Sequence, residues 1–433
     1  MKIIIALLVF SLVIVIHELG HFIFARINGI EVVDFSIGMG PRLCGFKLAG
    51  TQFSLRLFPI GGACMMLGED EDQNMQNDRS FYSKGVWQRI SVLFAGPFFN
   101  FILAFILAVV MIGIAGYDPA LITGVTAGEA AEAAGLQAGD RIVSIDGDNI
   151  SIGREIQSFF DFNTLDATPV EVVYERDGKE YTVQVQPMEI TRYRLGFSYY
   201  QTEDTPAEIS ALEVGMPLYE AGIQNGDVIT AINDIPVANG AELGAYFEAN
   251  PLTAEAVRFT YQRNGEETTV EVVPVFSNMG YSMGFSYNIG RTKATPVQVL
   301  KYSLVEVKYW IETTVKSLGK LVTGQLKSNE IGSAVAIVDV IGDTYEASKE
   351  EGTLTVFLNM AYISILLSAN LGVMNLLPIP ALDGGKLLFS FIEVVRGKPI
   401  DREKEGLVHF IGMVALMVLM VFLLFNDVKN VFF

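Results

Sequence analysis

Four stretches of this chain stay apolar long enough to cross a lipid bilayer, and that constrains the fold more than anything else in the sequence. A spanning helix needs roughly 20 mostly apolar residues. Residues 3–24, 90–115, 354–377 and 407–425 each provide such a run. The first run also carries His17, Glu18 and His21. Ionisable groups at membrane depth are costly and usually functional. A single basic residue, no clear small-residue cleavage site and histidines inside the run make it a span, not a signal peptide.

Composition then divides the chain. It is 51% hydrophobic, yet its formal net charge is −19. Residues 118–290 hold 27 acidic and 8 basic side chains, which accounts for the whole net charge. So much apolar surface excludes disorder, and the acidic balance argues against nucleic acid as a partner. Cys44 and Cys64 are the only cysteines, too few for a disulfide scaffold. Basic residues favour cytoplasmic loops. Seven lie between Arg26 and Arg89 and five between Lys386 and Lys404. Those two connections are expected in the cytoplasm, with the acidic block and both termini outside. Residues late in spans one and three then share a depth near the cytoplasmic face.

The acidic block contains a repeat at an offset of 87 residues. Ala134-Gly135-Leu136-Gln137-Ala138-Gly139-Asp140 recurs as Ala221-Gly222-Ile223-Gln224-Asn225-Gly226-Asp227. Arg176-Asp177-Gly178 recurs as Arg263-Asn264-Gly265, and Gly196-Phe197-Ser198-Tyr199 recurs, one residue out of register, as Gly284-Phe285-Ser286-Tyr287. Alternating runs between these landmarks read as strands, and Asp-Gly and Asn-Gly as hairpin turns. The pattern resembles PDZ domains in the circularly arranged form of bacterial proteases, which bind extended peptides at a sheet edge. Residues 126–130 and 214–217 are the corresponding candidate loops. Two small β-rich spacers without a ligand are the alternative.

His17 and His21 stand one helical turn apart, so both imidazoles project from one face. That spacing fits two ligands of a tetrahedral zinc, with Glu18 beside them as general base. Histidines hydrogen-bonded within a polar interface are the bland reading, but they would not require the intervening Glu. A catalytic zinc needs a third protein ligand. His409 is the only other histidine, isolated at the start of span four. Asp383 follows the break at Pro378 and Pro380 after span three, at the depth of the histidines. A cap at a helix start is its local alternative.

Together these stretches resemble the site-2 protease family, intramembrane zinc metalloproteases of the bacterial regulator-of-sigma-E-protease type with tandem PDZ domains. The matching residues are His17–His21 with Phe22 and Arg26, Phe35–Gly38 with Gly40-Pro41, Gly61-Gly62 with Met66–Glu69, Ala95-Gly96-Pro97 with Asn100-Phe101, and Asn375 through Gly385. The resemblance implies Zn2+ held by His17, His21 and Asp383, with Glu18 taking a proton from water and passing it to the leaving amine. It implies that Asn370 and Asn375 hold substrate backbone, and that Pro378 and Pro380 shape the break. Its substrates are single-span membrane proteins or signal-peptide remnants, cut in the bacterial inner membrane. A membrane-anchored PDZ scaffold without proteolysis is the alternative. Lys386 stands where the family commonly has a histidine that is not a ligand.

The expected fold class is therefore a polytopic α-helical membrane protein with four transmembrane helices, a membrane-associated β-hairpin and two inserted PDZ domains. Residues 1–116 form the first membrane region, with the hairpin at 31–64 and short strands at 42–48 and 51–58. PDZ domains occupy 117–200 and 201–290, a connector 291–353, and the second membrane region 354–433. Thr295-Pro296 starts an amphipathic helix reaching Val322, which lies either on the outer membrane surface or against the PDZ domains. Residues 331–334 depart from the Gly-Pro often found there in the family.

Overall fold

The computed structural model describes residues 2–69, 77–325 and 334–432, so residues 331–333 of that departure lie outside the described part. Helix α1 (Lys2–Ile27) is apolar over most of its length. Strands β1 (Val32–Leu48) and β2 (Thr51–Met66) pair antiparallel, closing at Leu48 opposite Thr51. They run further than the short strands expected, because the register shifts near Gly38, Gly40 and Pro41 are absorbed as bulges that do not end the ladder. Asp34, buried at the base, accepts from Ser54 Oγ at 2.6 Å and from Arg56 Nη2 at 2.8 Å. The far half exposes Leu43, Phe46, Leu48, Leu55, Leu57 and Phe58. Helix α2 (Val86–Ala115) follows and passes through Pro97, where one backbone hydrogen bond is forfeited.

The acidic block begins with β3 (Ile122–Val125), α3 (Ala130–Ala133), β4 (Arg141–Ile145), β5 (Asp148–Asn149), α4 (Gly153–Phe162), β6 (Val170–Arg176), β7 (Lys179–Val185), β8 (Met188–Arg194) and β9 (Phe197–Tyr199). The same series returns as β10 (Ile209–Leu212), α5 (Pro217–Glu220), β11 (Val228–Ile232), β12 (Ile235–Pro236), α6 (Gly240–Ala249), β13 (Val257–Arg263), β14 (Glu266–Val272), β15 (Val275–Ser282) and β16 (Phe285–Tyr287). Each half forms a four-stranded sheet, ordered β5-β4-β6-β7 and β12-β11-β13-β14. Asp140 and Asp227 show why the Gly-Asp motif repeats. Each is buried, accepts from the amide of Gln137 or Gln224 at 2.8 Å, and takes a fork of bonds from Arg176 or Arg263. The same arginines close onto the carbonyls of Gly135 and Gly222, both at 2.9 Å.

The ends of the two halves interlock. Strand β9 pairs with β10, β16 returns to β3, and β15 pairs with β8. The second half is thus inserted within the first, and a boundary drawn after residue 200 falls between two paired strands. A linear repeat cannot show this, because Gly196–Tyr199 and Gly284–Tyr287 are alike and either could close either sheet.

The chain resumes with α7 (Pro296–Val322), α8 (Ala334–Glu351), α9 (Thr353–Leu376), α10 (Asp383–Arg396) and α11 (Arg402–Phe432). By backbone contacts it divides into two units, one of Met1–Pro119, Ser151–Ser158 and Ile289–Phe433, the other of Ala120–Ile150 and Phe159–Asn288. Among the described residues of the first unit, α1, α2, α9 and residues Arg402–Phe422 of α11 are long and apolar enough to cross a membrane.

Helix α7 packs on α2 and α9 and also pairs with Arg154 of the acidic block. Thr295 and Gln298 cap it reciprocally. Its Tyr302, Val307 and Trp310 pack with Ala104, Ala108 and Met111 of α2 and with Ile365 and Ala369 of α9. A buried ion cluster explains the docking. Arg154 donates to Asp118 and to Glu306 of α7, with Nη2 at 2.6 Å from Glu306 Oε2, and Trp310 Nε1 donates to the same carboxylate at 3.0 Å. The guanidinium also stacks over Tyr309 and Tyr362 at 5.2 and 5.6 Å. The polar strip of the helix is in part an internal contact, with Glu306 buried against Arg154.

Candidate active site

The first turn of chemistry on α1 is positioned by small residues on α2. A Cβ placed on Gly20 would lie 2.4 Å from the Ala95 carbonyl oxygen, and one on Gly96 would lie 2.3 Å from His21 Nε2 and 2.8 Å from His17 Cε1. Glycine at both places lets the helices approach until the imidazoles meet the α2 backbone at Gly96. His17 and His21 are 7% and 6% exposed, with ring planes at 82° and centroids 4.8 Å apart.

Asp383 comes from the far end of the chain. Helix α9 ends at Leu376, and residues 377–382 turn through Pro378 and Pro380 before α10 begins on Asp383 itself. Asp383 makes no cap at Leu382, where no side-chain cap bond forms. Its Oδ2 lies 3.1 Å from His17 Nε2 and 3.2 Å from His21 Nε2, and the two Nε2 atoms are 3.2 Å apart. Among the described residues these three form the one cluster able to hold a metal.

The donor triangle fits zinc. Bonds of about 2.0–2.1 Å in tetrahedral directions set neighbouring donors about 3.3 Å apart. The rings are also turned correctly for Nε2 ligation. His21 Nδ1 lies 2.9 Å from the Val92 carbonyl oxygen, which can only accept, so the proton sits on Nδ1 and Nε2 keeps its lone pair. His17 Nδ1 faces the Asn100 side chain at 3.2 Å. A cavity of about 290 Å³ opens on the cluster, lined by Glu18, Gly62, Cys64, Met66 and Leu93 as well as the three donors. A Cβ on Gly62 would lie 3.1 Å from Glu18 Cγ, so strand β2 runs directly beside the Glu18 side chain.

The remaining sequence-predicted residues are placed unequally. Asn375 Nδ2 lies 3.5 Å from His17 Nε2. Asn370 is turned to α7, where its Oδ1 accepts from Thr314 Oγ1. Pro378 and Pro380 sit in the break, where Ala381 adopts a left-handed φ of 79°. The Ala381 amide donates to His409 Nδ1 at 2.9 Å, so the third histidine braces the turn before Asp383 and is not in the cluster. Lys386, one turn into α10, pairs with Glu69 at 2.6 Å. Burial by itself would lower the Lys386 ammonium, but the Glu69 carboxylate holds it above the ordinary lysine range. Sequence reasoning matched Gly96 and Asn100 to the family without giving them a role. Their signal was the small-residue and amide spacing on a second apolar run.

The sequence matches the peptidase family M50 over residues 5–419. The chain belongs to peptidase family M50. It is a zinc metalloendopeptidase of the site-2 protease type, and zinc is its cofactor. Full-length relatives agree. The zinc metalloprotease RasP of Geobacillus kaustophilus is 31% identical, covering 98% of this chain and 97% of its own. RasP of Shouchella clausii is 30% identical, covering 98% of each chain. The regulator of sigma-W protease RasP of Bacillus subtilis is 28% identical, again over 98% of each. A crystal structure of the HtrA3 PDZ domain with a phage-derived ligand aligns with 21% of this M50 chain and 92% of its own length, at 15% identity and a TM-score of 0.18.

Proposed function

We propose that this M50 peptidase cuts single-span membrane proteins or signal-peptide remnants within the bilayer, the second cut of regulated intramembrane proteolysis. The observation that carries the reading is the meeting of His17 and His21 from one apolar helix with Asp383, which opens α10 just past the break that ends the apolar helix α9. Zinc held by these three residues supplies a Lewis acid that acidifies water and polarises a carbonyl. Glu18, in the same cavity, takes the proton and passes it to the leaving amine. A substrate helix must unwind before its amide can be attacked, because its own backbone groups are satisfied. Strand β2 and Asn375 are suited to hold the unwound segment, whereas Asn370 would first have to leave Thr314.

The Bacillus subtilis relative, a regulator of sigma-W protease, supports an anti-sigma factor as one substrate class. The basic residues between the apolar helices support an inner-membrane arrangement with the active site near the cytoplasm and the acidic block outside. We read that block as a nested pair of PDZ domains that filters substrates by the size of their outer parts. A cleft of about 510 Å³ beside β16, lined by Phe160, Leu165, Ile190, Phe285 and Tyr287, supports engagement of an apolar extended peptide.

The deciding experiment offers a labelled transmembrane peptide to the purified wild type and to Glu18→Gln, with bound zinc measured in both. Zinc retained and cleavage reduced by about 100-fold or more is expected. Equal cleavage by the two proteins would remove Glu18 from the mechanism. Excising residues 118–290 should admit substrates with intact outer domains, and unchanged selectivity would sink the filter. Glu306→Gln should accompany the excision, since Arg154 is lost with it and would leave a buried carboxylate unpaired.

A further inference from the structure

We infer that Asn100 is the positioning residue that sets the tautomer of His17, its side-chain oxygen accepting from Nδ1–H so that Nε2 keeps its lone pair for the metal. The inference rests on His17, His21 and Asp383 being the zinc ligands.

A neutral imidazole has one donor nitrogen and one acceptor nitrogen, and the partner of either decides the role of the other. His21 is settled by a backbone carbonyl. His17 has a different partner, the Asn100 amide, whose two ends play opposite roles. Asn100 is fully buried on α2, one turn beyond the glycine that admits the imidazoles. Its own carbonyl accepts from Ser368 Oγ of α9 at 2.7 Å, which fixes the backbone at this residue.

With the nitrogen end toward His17 at 3.2 Å, Nδ1 must accept. The proton is then forced onto Nε2, the atom that faces Asp383 at 3.1 Å, and a protonated nitrogen cannot ligate. In that orientation Asn100 Oδ1 is also buried with no hydrogen-bond partner. The oxygen and nitrogen of an amide occupy nearly the same space, so a half turn about the last side-chain bond exchanges them without moving the backbone. The oxygen end then accepts from Nδ1–H, and both histidines present Nε2 lone pairs to one point. An amide does this without adding a second buried negative charge beside Asp383, which a carboxylate would.

The test compares full-length wild type, Asn100→Leu, Asn100→Asp and His17→Ala in detergent. Zinc affinity is measured by chelator competition, and the Co2+-substituted proteins give a visible ligand-field spectrum. Loss of zinc in His17→Ala secures the ligand assignment, and retention there overturns it together with the inference. Asn100→Leu, which removes the acceptor at similar volume, should weaken zinc about 10–100-fold. Asn100→Asp, acceptor only, should bind zinc no more weakly than wild type and keep the wild-type Co2+ spectrum. If Asn100→Asp instead loses zinc, Asn100 was donating and the inference is overturned. Wild-type affinity in Asn100→Leu overturns it too. Should the leucine variant not fold, the aspartate variant decides alone.

Discussion

Asp383 Oδ2 lies 3.2 Å from His21 Nε2, although 362 residues separate the two in the chain. One carboxylate oxygen meets both imidazoles, so a change at Asp383 removes a corner common to the whole triangle. Asp383→Asn should lower zinc occupancy and proteolysis together, because an amide is a poor ligand and no longer offsets the metal charge. Metal analysis of the purified variant checks this, with Lys386→Met as the control that leaves all three donors in place. Full zinc content in Asp383→Asn would move the third ligand elsewhere.

Gly96 is expected to tolerate no side chain. In Gly96→Ala the new methyl would overlap His21 Nε2, and either His21 or α2 must move. Overpacking of this kind costs about 1–3 kcal/mol. Zinc affinity should fall along with the melting temperature. Gly20→Ala, which meets the Ala95 carbonyl and neither histidine, should cost stability with a smaller loss of zinc. Equal zinc affinity in Gly96→Ala and wild type would contradict the packing.

Arg154 is the hub of the ion cluster that docks α7. Asp118 and Glu306 have side chains only 2% exposed, so Arg154→Met strands two buried carboxylates. Breaking a buried pair by deleting one partner costs about 3–5 kcal/mol. A melting temperature several degrees lower is the expected reading in a thermal scan. Adding Asp118→Asn and Glu306→Gln to that variant should recover part of the loss, since neutral groups cost less to bury. No recovery would mean that the arginine acts through its stacking on Tyr309 and Tyr362.

Asp227 gives the second unit an acid-sensitive lock. Burial alone would raise its carboxyl, but the Arg263 fork and the Gln224 amide win and hold it below the ordinary 3.8. A group with a depressed folded pKa contributes stability that is fully present above its ordinary value and is lost as pH falls through the folded one. Unfolding of the unit, followed in the full chain by hydrogen exchange, should therefore grow easier below pH 3.8 in the wild type. In Asp227→Asn the same decline should be shallower, from a lower starting stability. Parallel curves would show that the carboxylate is not the group titrating.

Periodicity and composition alone determined the four long apolar helices, the doubled acidic block, and His17, Glu18 and His21 on one helix face. These depend on spacings of a few residues, and helix geometry converts such spacings into faces whatever the rest of the chain does. Asp383 could be nominated because a helix break and a carboxylate are local features. Whether it capped a helix or faced the histidines depended on the packing of α1, α2 and α9. Tertiary structure alone decided four further points. It nested one β-rich half within the other, turned α7 onto the apolar helices through Arg154, gave His409 to the Ala381 turn, and set Asn100 behind His17. Each is a contact between residues far apart in sequence and chosen by close packing, where one glycine or one buried amide settles which of several chemically equivalent partners is met.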